Sequence, residues 1–399
     1  MTSVLMGPYA TQMLGDYGAD VVKVEPPEGD ITRLIGPVRN EGMGPLFLNG
    51  NRSKRSIALD LKQPAGREAL LKLAATADVL VYNVRPQAMA RLGLGYDAVS
   101  AVNPRIIYAG LFGFGQEGPY AAKPAYDDLM QACSGLSHMI AVAGDGTPRY
   151  VPTAMADRVV GLTALGAMLA GIIHRDRSGK GQRIDVPMFE TMTSFVLGDH
   201  LGGLTYDPPL DGGGYARHVA KDRRPYATKD GFISVIVYND KQWESFFNAT
   251  KREDLRADPR FATFAGRAAN IDVVYGELGR ILQTRTTAEW VEFFIAADIP
   301  VMPVHTLTSI LDDPHLKAID FFEAVEHPSE GAIRSMRPSA TFYDTPIETP
   351  RLAPRRSEHA VEILKEAGYS DAEIAALLRD RVTSTPAAPA TETKKAARG

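Results

Sequence analysis

A carboxylate at the start of a helix can serve as a nucleophile or a base, and Asp157 is placed for either. It stands just before Val159–Ile173, an apolar run in which only Thr163 is polar. The spacing predicts that Asp157 is the N-cap of a buried helix. Its side chain would accept from free backbone N–H groups, and the positive end of the helix dipole would favour the ionised form. An ionised carboxylate held there can attack an acyl carbon or take a proton. An ordinary capping Asp occupies the same position, and on this stretch alone the capping reading is favoured.

The predicted helix is apolar on all sides, which marks a buried helix. It falls short of the about 20 apolar residues of a membrane span and is closed by His174, Arg175, Asp176 and Arg177. Gly161, Gly166 and Gly171 weaken helix propensity and are read as points where another backbone comes close. Ser178–Gln182 (SGKGQ) then predicts a turn and Arg183–Met188 a short strand.

Other chemistries lack their residues. Gly113–Gly118 is a literal G-x-G-x-x-G, but Pro119 follows at once, so a loop stands where a dinucleotide site needs a helix. The sequence has no G-x-x-x-x-G-K-[ST], no G-x-S-x-G and no H-E-x-x-H, so phosphate-loop, serine-nucleophile and metal chemistry have no support. The single cysteine, Cys133, excludes an intrachain disulfide and fits a reducing compartment. Its setting, LMQACSGL, predicts a buried structural thiol. The opening MTSVLMGPYA lacks the basic start and apolar core of a signal peptide, and a cytoplasmic location is expected.

The elements that must position Asp157 follow from the rest of the chain. A length of 399 residues predicts two or three domains at roughly 100–200 residues each. Hydrophobic and charged contents of 45% and 23% are those of a soluble globular protein. A net charge of −4 with no basic stripe gives no sign of nucleic acid, and no charge run points to a membrane surface. Val21–Glu25, Ile57–Leu61, Val79–Asn83 and Ile106–Leu111 read as strands, with a helix opened by Pro64 between the second and third. Short apolar strands separated by helices imply a parallel sheet covered on both faces. From about residue 205 to 325 a smaller α+β domain is expected, with a strand at Phe232–Tyr238, an aromatic helix face at Trp243, Phe246 and Phe247, and capping-box spacing at Thr286 and Glu289. Residues 326–382, with a second capping box at Ser370 and Glu373, are expected to return to the first domain, 1–204. Thr383–Gly399 has no large apolar residue and is expected to be disordered.

Taken in order, several segments resemble the class III CoA-transferase family, which includes formyl-CoA transferase, carnitine CoA-transferase and the α-methylacyl-CoA racemases. They are Gly7–Thr11, Leu14–Glu25, Asn51–Ser56 with Leu59–Lys62, Asn83–Pro86, Arg91–Gly93, Tyr126-Asp127, Asp157, Ser178–Gln182 and Asp258–Phe261. The resemblance covers everything except the tail. It implies an α/β subunit with a Rossmann-like large domain and a smaller α+β domain, assembled as an interlocked homodimer. It implies that Asp157 is the catalytic nucleophile of CoA transfer from an acyl-CoA donor to a carboxylic acid acceptor, through an aspartyl mixed anhydride and an aspartyl-CoA thioester. CoA and acyl-CoA are then substrates, with no permanently bound cofactor and no metal. The matching CoA-contact positions are Val4, Leu5, Met6, Leu59, Lys62, Asn83, Val84, Arg91, Tyr126 and Asp127. Arg and Lys suit the phosphates of CoA.

The departures from the family pattern carry expectations of their own. Relatives have a further apolar strand ahead of the segment matching Val4–Pro8, which predicts an upstream start or a weakened sheet edge. Leu5 replaces a Gln of the formyl-CoA transferases, and Gly212–Gly214 is a shorter glycine loop than theirs, which argues against oxalate and formate as substrates. That loop is a candidate source of oxyanion donors. Tyr126 replaces a His of the racemases, and a tyrosine with an ordinary pKa near 10 is a poor base; α-methylacyl-CoA racemase or epimerase activity is the alternative reading. Arg217, His218 and Arg223 near the loop hint at a dicarboxylate acceptor.

Overall fold

The computed structural model describes residues 1–347 and 351–386. Two compact units divide the chain. The larger comprises Met1–Ser134, Val151–Ser194 and the described residues from Asp320 onward; the smaller comprises Gly135–Tyr150 and Phe195–Ile319. Gly135–Tyr150 groups with the smaller unit because its helix, Leu136–Ala143, packs on the turn Ala216–Val219.

The larger unit is α/β with parallel strands. Its order is α1 (Met6–Asp16), β1 (Val21–Glu25), β2 (Lys54–Ala58), α2 (Pro64–Thr76), β3 (Val79–Tyr82), α3 (Pro86–Arg91), β4 (Ile107–Phe112), α4 (Asp127–Cys133), α5 (Met155–Ser178) and β5 (Gln182–Pro187), which leads into α6 (Met188–His200). The ladder is in two pieces. β1 pairs with β2 in register Val21–Lys54 to Glu25–Ala58, and β4 lies between β3 and β5, all parallel. Residues Met1–Ser3 run beside the open edge of β3: Asn83 N–H donates to the Met1 carbonyl at 3.4 Å, and the Asn83 side chain exchanges two hydrogen bonds with the Ser3 backbone at 3.0 and 2.7 Å. β2 starts three residues earlier than its apolar residues suggest. Lys54, Arg55 and Ser56 belong to it because their side chains are satisfied in the interior.

In the smaller unit β6 (Tyr226–Ala227), β7 (Phe232–Val235) and β8 (Val301–Pro303) form an antiparallel sheet, with α7 (Asp240–Thr250), α8 (Ile271–Leu282) and α9 (Thr287–Ala296) contributing an aromatic core. Returning to the larger unit, β9 (Phe322–His327) and β10 (Gly331–Met336) form a hairpin. α10 (Ala360–Glu366) and α11 (Asp371–Arg379) add Ile363, Leu364, Ile374 and Leu377 to the aliphatic core built on Ile57, Leu70, Leu80 and Tyr108. The expected tail begins too early: Thr383 is buried, and its hydroxyl donates to the Ala58 carbonyl at 2.8 Å. Residues 387–399 of that expectation lie outside the described residues.

Two further expectations are corrected. Helix α5 has 24 residues, which is long enough and apolar enough to cross a membrane, and it is not buried on all sides. One face, with Val160, Ala164, Leu165 and Met168, packs inward on α1, β4 and β5. The opposite stripe leaves Leu162, Leu169 and Ile173 at 48%, 40% and 54% exposure. Cys133 is exposed, at the last turn of α4.

Candidate active site

α5 carries Asp157 to the carboxyl edge of the parallel strands, where open α/β sheets bind their ligands. The glycines set its height. A Cβ on Gly171 would lie 2.8 Å from Ile184 and 3.1 Å from Ile107, at the amino end of β4. Arg175 donates to Asp78, just before β3, at 2.6 Å. Asp157 is 14 residues before Gly171, so it stands about 21 Å up the helix at 1.5 Å per residue. Gly161, one turn after Asp157, meets α1: a Cβ there would be 2.8 Å from the Met6 carbonyl oxygen. The missing side chain lets the first turn of α1 close on the Asp157 face of α5.

Asp157 is not the N-cap. Ala154 occupies that position without a side-chain bond, and Asp157 is the third helical residue. The cap comes from another helix. Asp127, the first residue of α4, accepts from the Asp157 backbone N–H at 2.9 Å. Gln131, fully buried one turn later, donates to the other Asp127 oxygen at 2.6 Å and accepts from Val151 N–H at 2.8 Å. This clamp fixes Asp127 and the approach to α5 together. The sequence signal was the D-x-x-x-Q spacing on α4, which places both side chains on one helical face.

The Asp157 carboxylate is thereby released from capping duty. It is 8% exposed and accepts no hydrogen bond among the described residues. Burial, and then the nearby Asp127 carboxylate, push its pKa up to about 6, against a smaller opposing pull from Arg158. At pH 7 and above it is ionised, desolvated and without hydrogen-bond donors, which is the state of an activated carboxylate nucleophile.

The segment facing α5 is held by buried charge. Val4 has φ +65°, an outlier for a β-branched residue. Its N–H donates to Asp30 Oδ1 at 3.3 Å, while Asp30 Oδ2 pairs with Lys23 Nζ at 2.8 Å and Lys23 also donates to the Thr2 carbonyl at 2.9 Å. Glu25 pairs with Arg33 and accepts from Asp30 N–H at 2.9 Å. Lys54 places its three protons on the carbonyls of Pro8 and Gly50 and on the Asn51 side chain. Lysine and glutamate inside the apolar strand VVKVE were the sequence sign of this network, since such groups are buried only when paired.

The remaining positions named from sequence scatter along the same edge. Leu5 and Met6 are buried at the start of α1. Leu59 is buried just past β2, Asn83 is spent on Ser3, and Val84 is exposed just past β3. Lys62 and Arg91 are exposed and carry no ion pair among the described residues. Tyr126 is 70% exposed, immediately before the clamped Asp127. Hydrogen bonds and packing join Asp127, Asp157, Gly161 and the α1 start; among the described residues no hydrogen bond or ion pair joins Lys62, Arg91 or Tyr126 to Asp157. In the smaller unit, Gly213 N–H donates to Asp211 and Gly214 N–H to the His200 carbonyl, each at 2.8 Å. Those two donors are therefore already used within the loop.

Comparison with known proteins matches the chain to one family. The model of CoA-transferase family III covers residues 1–360. An acyl-CoA transferase of Fusarium pseudograminearum is 35% identical over 96% of this chain and 86% of its own length. The human succinyl-CoA:glutarate CoA-transferase is 32% identical over 95% of this chain and 86% of its own. The crystal structure of a CAIB/BAIF family protein from Brucella suis superposes with a TM-score of 0.79 at 30% identity, covering 92% of this chain and 97% of that one. The chain belongs to CoA-transferase family III.

Proposed function

We propose that the protein transfers CoA from an acyl-CoA donor to a carboxylic acid acceptor, with Asp157 as the covalent nucleophile. One observation carries the reading: a buried carboxylate at a helix start whose capping role is taken by Asp127, leaving it without hydrogen-bond donors among the described residues and with its pKa pushed up to about 6. Asp157 attacks the donor thioester carbonyl and expels CoA thiolate, forming an acyl-aspartyl anhydride. The thiolate attacks the aspartyl carbonyl and expels the donor acid, leaving an aspartyl-CoA thioester. The acceptor carboxylate attacks that thioester and releases the thiolate again. The thiolate then takes the acceptor's acyl group and regenerates Asp157. Each step exchanges one activated acyl bond for another. The surroundings of Asp157 contribute by desolvating it and by fixing its backbone. CoA is a substrate. Its phosphates suit exposed cations, and Lys62 and Arg91 are two that carry no ion pair among the described residues.

Succinyl-CoA is the donor to try first and glutarate the first acceptor, after the human relative. A matrix of acyl-CoA and carboxylate pairs, read by mass spectrometry, should show transfer. Quenched enzyme should carry an adduct on the Asp157 peptide that hydroxylamine converts to a hydroxamate. Deuterium uptake at the substrate α-carbon without acyl exchange would instead mark a racemase.

We further infer that a second copy covers the α5 stripe of Leu162, Leu169 and Ile173, in keeping with the interlocked dimer that the family resemblance implies. Interlocked chains cannot separate without unfolding, so dilution under native conditions should release no monomer. A concentration-dependent monomer would overturn this.

A further inference from the structure

The smaller unit contains a cavity of about 190 Å³ that the transfer mechanism does not use. Its inner wall is apolar: Trp243 and Val274 are 2% and 1% exposed. Tyr238 and Phe264 form its mouth, edge to face at 6.2 Å between ring centres, and each is more than half exposed. Two arginines reach it, and they differ. Arg267 is neutralised by Asp240 and donates to the Phe261 carbonyl at 2.7 Å. Arg217 has no carboxylate partner among the described residues. Its Nε donates to the Tyr275 hydroxyl at 3.1 Å, and its guanidinium lies 5.5 Å from the Tyr238 ring centre. His218, next in sequence, stands 3.6 Å from Asp199.

We propose that this cavity binds a small apolar monocarboxylate, with the carboxylate on Arg217 and the hydrocarbon against Trp243 and Val274. The charge at the mouth is one uncompensated guanidinium, whose fork matches a single carboxylate. The second guanidinium on the walls, Arg267, is already paired with Asp240, so a dicarboxylate would have to desolvate one charge without a free partner. The volume is below the roughly 300 Å³ of ordinary small-molecule sites. It has room for on the order of six to nine non-hydrogen atoms, the size of hexanoate or benzoate. The dicarboxylate hint of Arg217, His218 and Arg223 is thereby narrowed to one anion-binding side chain in this cavity.

The test is calorimetric titration of the full-length protein with hexanoate, benzoate and glutarate, with tryptophan fluorescence followed in parallel because Trp243 lines the cavity. Hexanoate or benzoate should bind saturably, and glutarate at least tenfold more weakly. Arg217→Gln should weaken the monocarboxylate at least tenfold, Arg217→Lys should recover part of the loss, and Phe264→Ala should weaken it with Arg217 intact. Asp157→Asn should leave binding unchanged, so the result stands apart from the transferase reading. The source of the acid is separated kinetically. An acceptor bound here shows an Arg217→Gln effect on its own KM, whereas an effector alters kcat with an unrelated acceptor. Glutarate binding as tightly as hexanoate, or monocarboxylate binding indifferent to both Arg217→Gln and Phe264→Ala, would overturn the proposal.

Discussion

The starts of α5 and α9 place a carboxylate at the same helical position and give it opposite fates. Asp157 and Glu289 are each the third residue of their helix. Glu289 closes a capping box. Its carboxylate accepts from the Thr286 N–H and hydroxyl, both at 2.8 Å, while the Thr286 hydroxyl takes the Glu289 N–H at 3.3 Å. Those bonds hold its pKa below the usual value. Asp157 has Ala154 where α9 has Thr286, and its own N–H goes to Asp127. Its carboxylate is left without donors and its pKa rises to about 6, through burial first and Asp127 second. The same helical position thus yields a bonded structural clasp when the cap is local and an unbonded carboxylate with a raised pKa when the cap comes from elsewhere.

The largest expected effect is on catalysis. Asp157→Asn should lower transfer by at least about a thousandfold, because loss of a covalent nucleophile removes the pathway itself. Glu289→Gln should leave kcat within twofold or so, since it touches only its own cap. An active Asp157→Asn enzyme, shown free of deamidation, would break the contrast.

Stability comes next, with the opposite sign to intuition. A carboxyl group whose folded pKa is raised binds protons more tightly in the native state, so native stability falls as pH climbs from about 4 to about 6. A rise of about two pH units corresponds to roughly 3 kcal/mol at most. Asp157→Asn should therefore melt higher than wild type at pH 7.5, and the gain should disappear by pH 4. An Asn variant that melts lower at pH 7.5 would mean that the native carboxylate has donors after all.

A smaller effect is expected at Asp127. Asp127→Asn keeps a side-chain oxygen for the Asp157 N–H but removes the charge. If Asp157 sets the acid limb of kcat/KM, that limb should lie near pH 6 in wild type and move to lower pH in the variant, while burial keeps it above an ordinary aspartate. Asp127→Ala also loses the cap and should cost about 1 kcal/mol. An unmoved acid limb would assign that limb to another group.

These helix starts also show what was legible in the sequence. The Thr286/Glu289 and Ser370/Glu373 boxes were readable because each is closed within four residues. The strands of the larger unit were readable from their apolar runs, except at Lys54–Ser56, where buried charge hides a strand. The proposed nucleophilic role of Asp157 came only through the family resemblance. Its local pattern predicts a cap, and the partner that takes over capping is 30 residues away. The exposed stripe on α5 was illegible for the same reason: composition records that Leu162, Leu169 and Ile173 are apolar, and only tertiary structure records what faces them.

The smallest expected effect sharpens the contrast most. Glu289→Gln preserves the capping-box pattern, since Gln can reach back to the Thr286 N–H as Glu does. At neutral pH the variant should melt only slightly below wild type, because it loses the charge that favours a helix start. The pH dependence is the informative part. Bonding to Thr286 holds the folded-state pKa of Glu289 below its ordinary value. Its contribution is therefore present above the unfolded-state value and is lost as pH falls through the folded one. The difference between wild type and Glu289→Gln should shrink from pH 7 toward pH 3. Asp157→Asn should also converge on wild type in acid, but from above. Two melting series with opposite signs at pH 7.5 and a common limit in acid are what two N3 carboxylates, one bonded and one bare, require. Melting differences of the same sign would show that the two carboxylates share one environment.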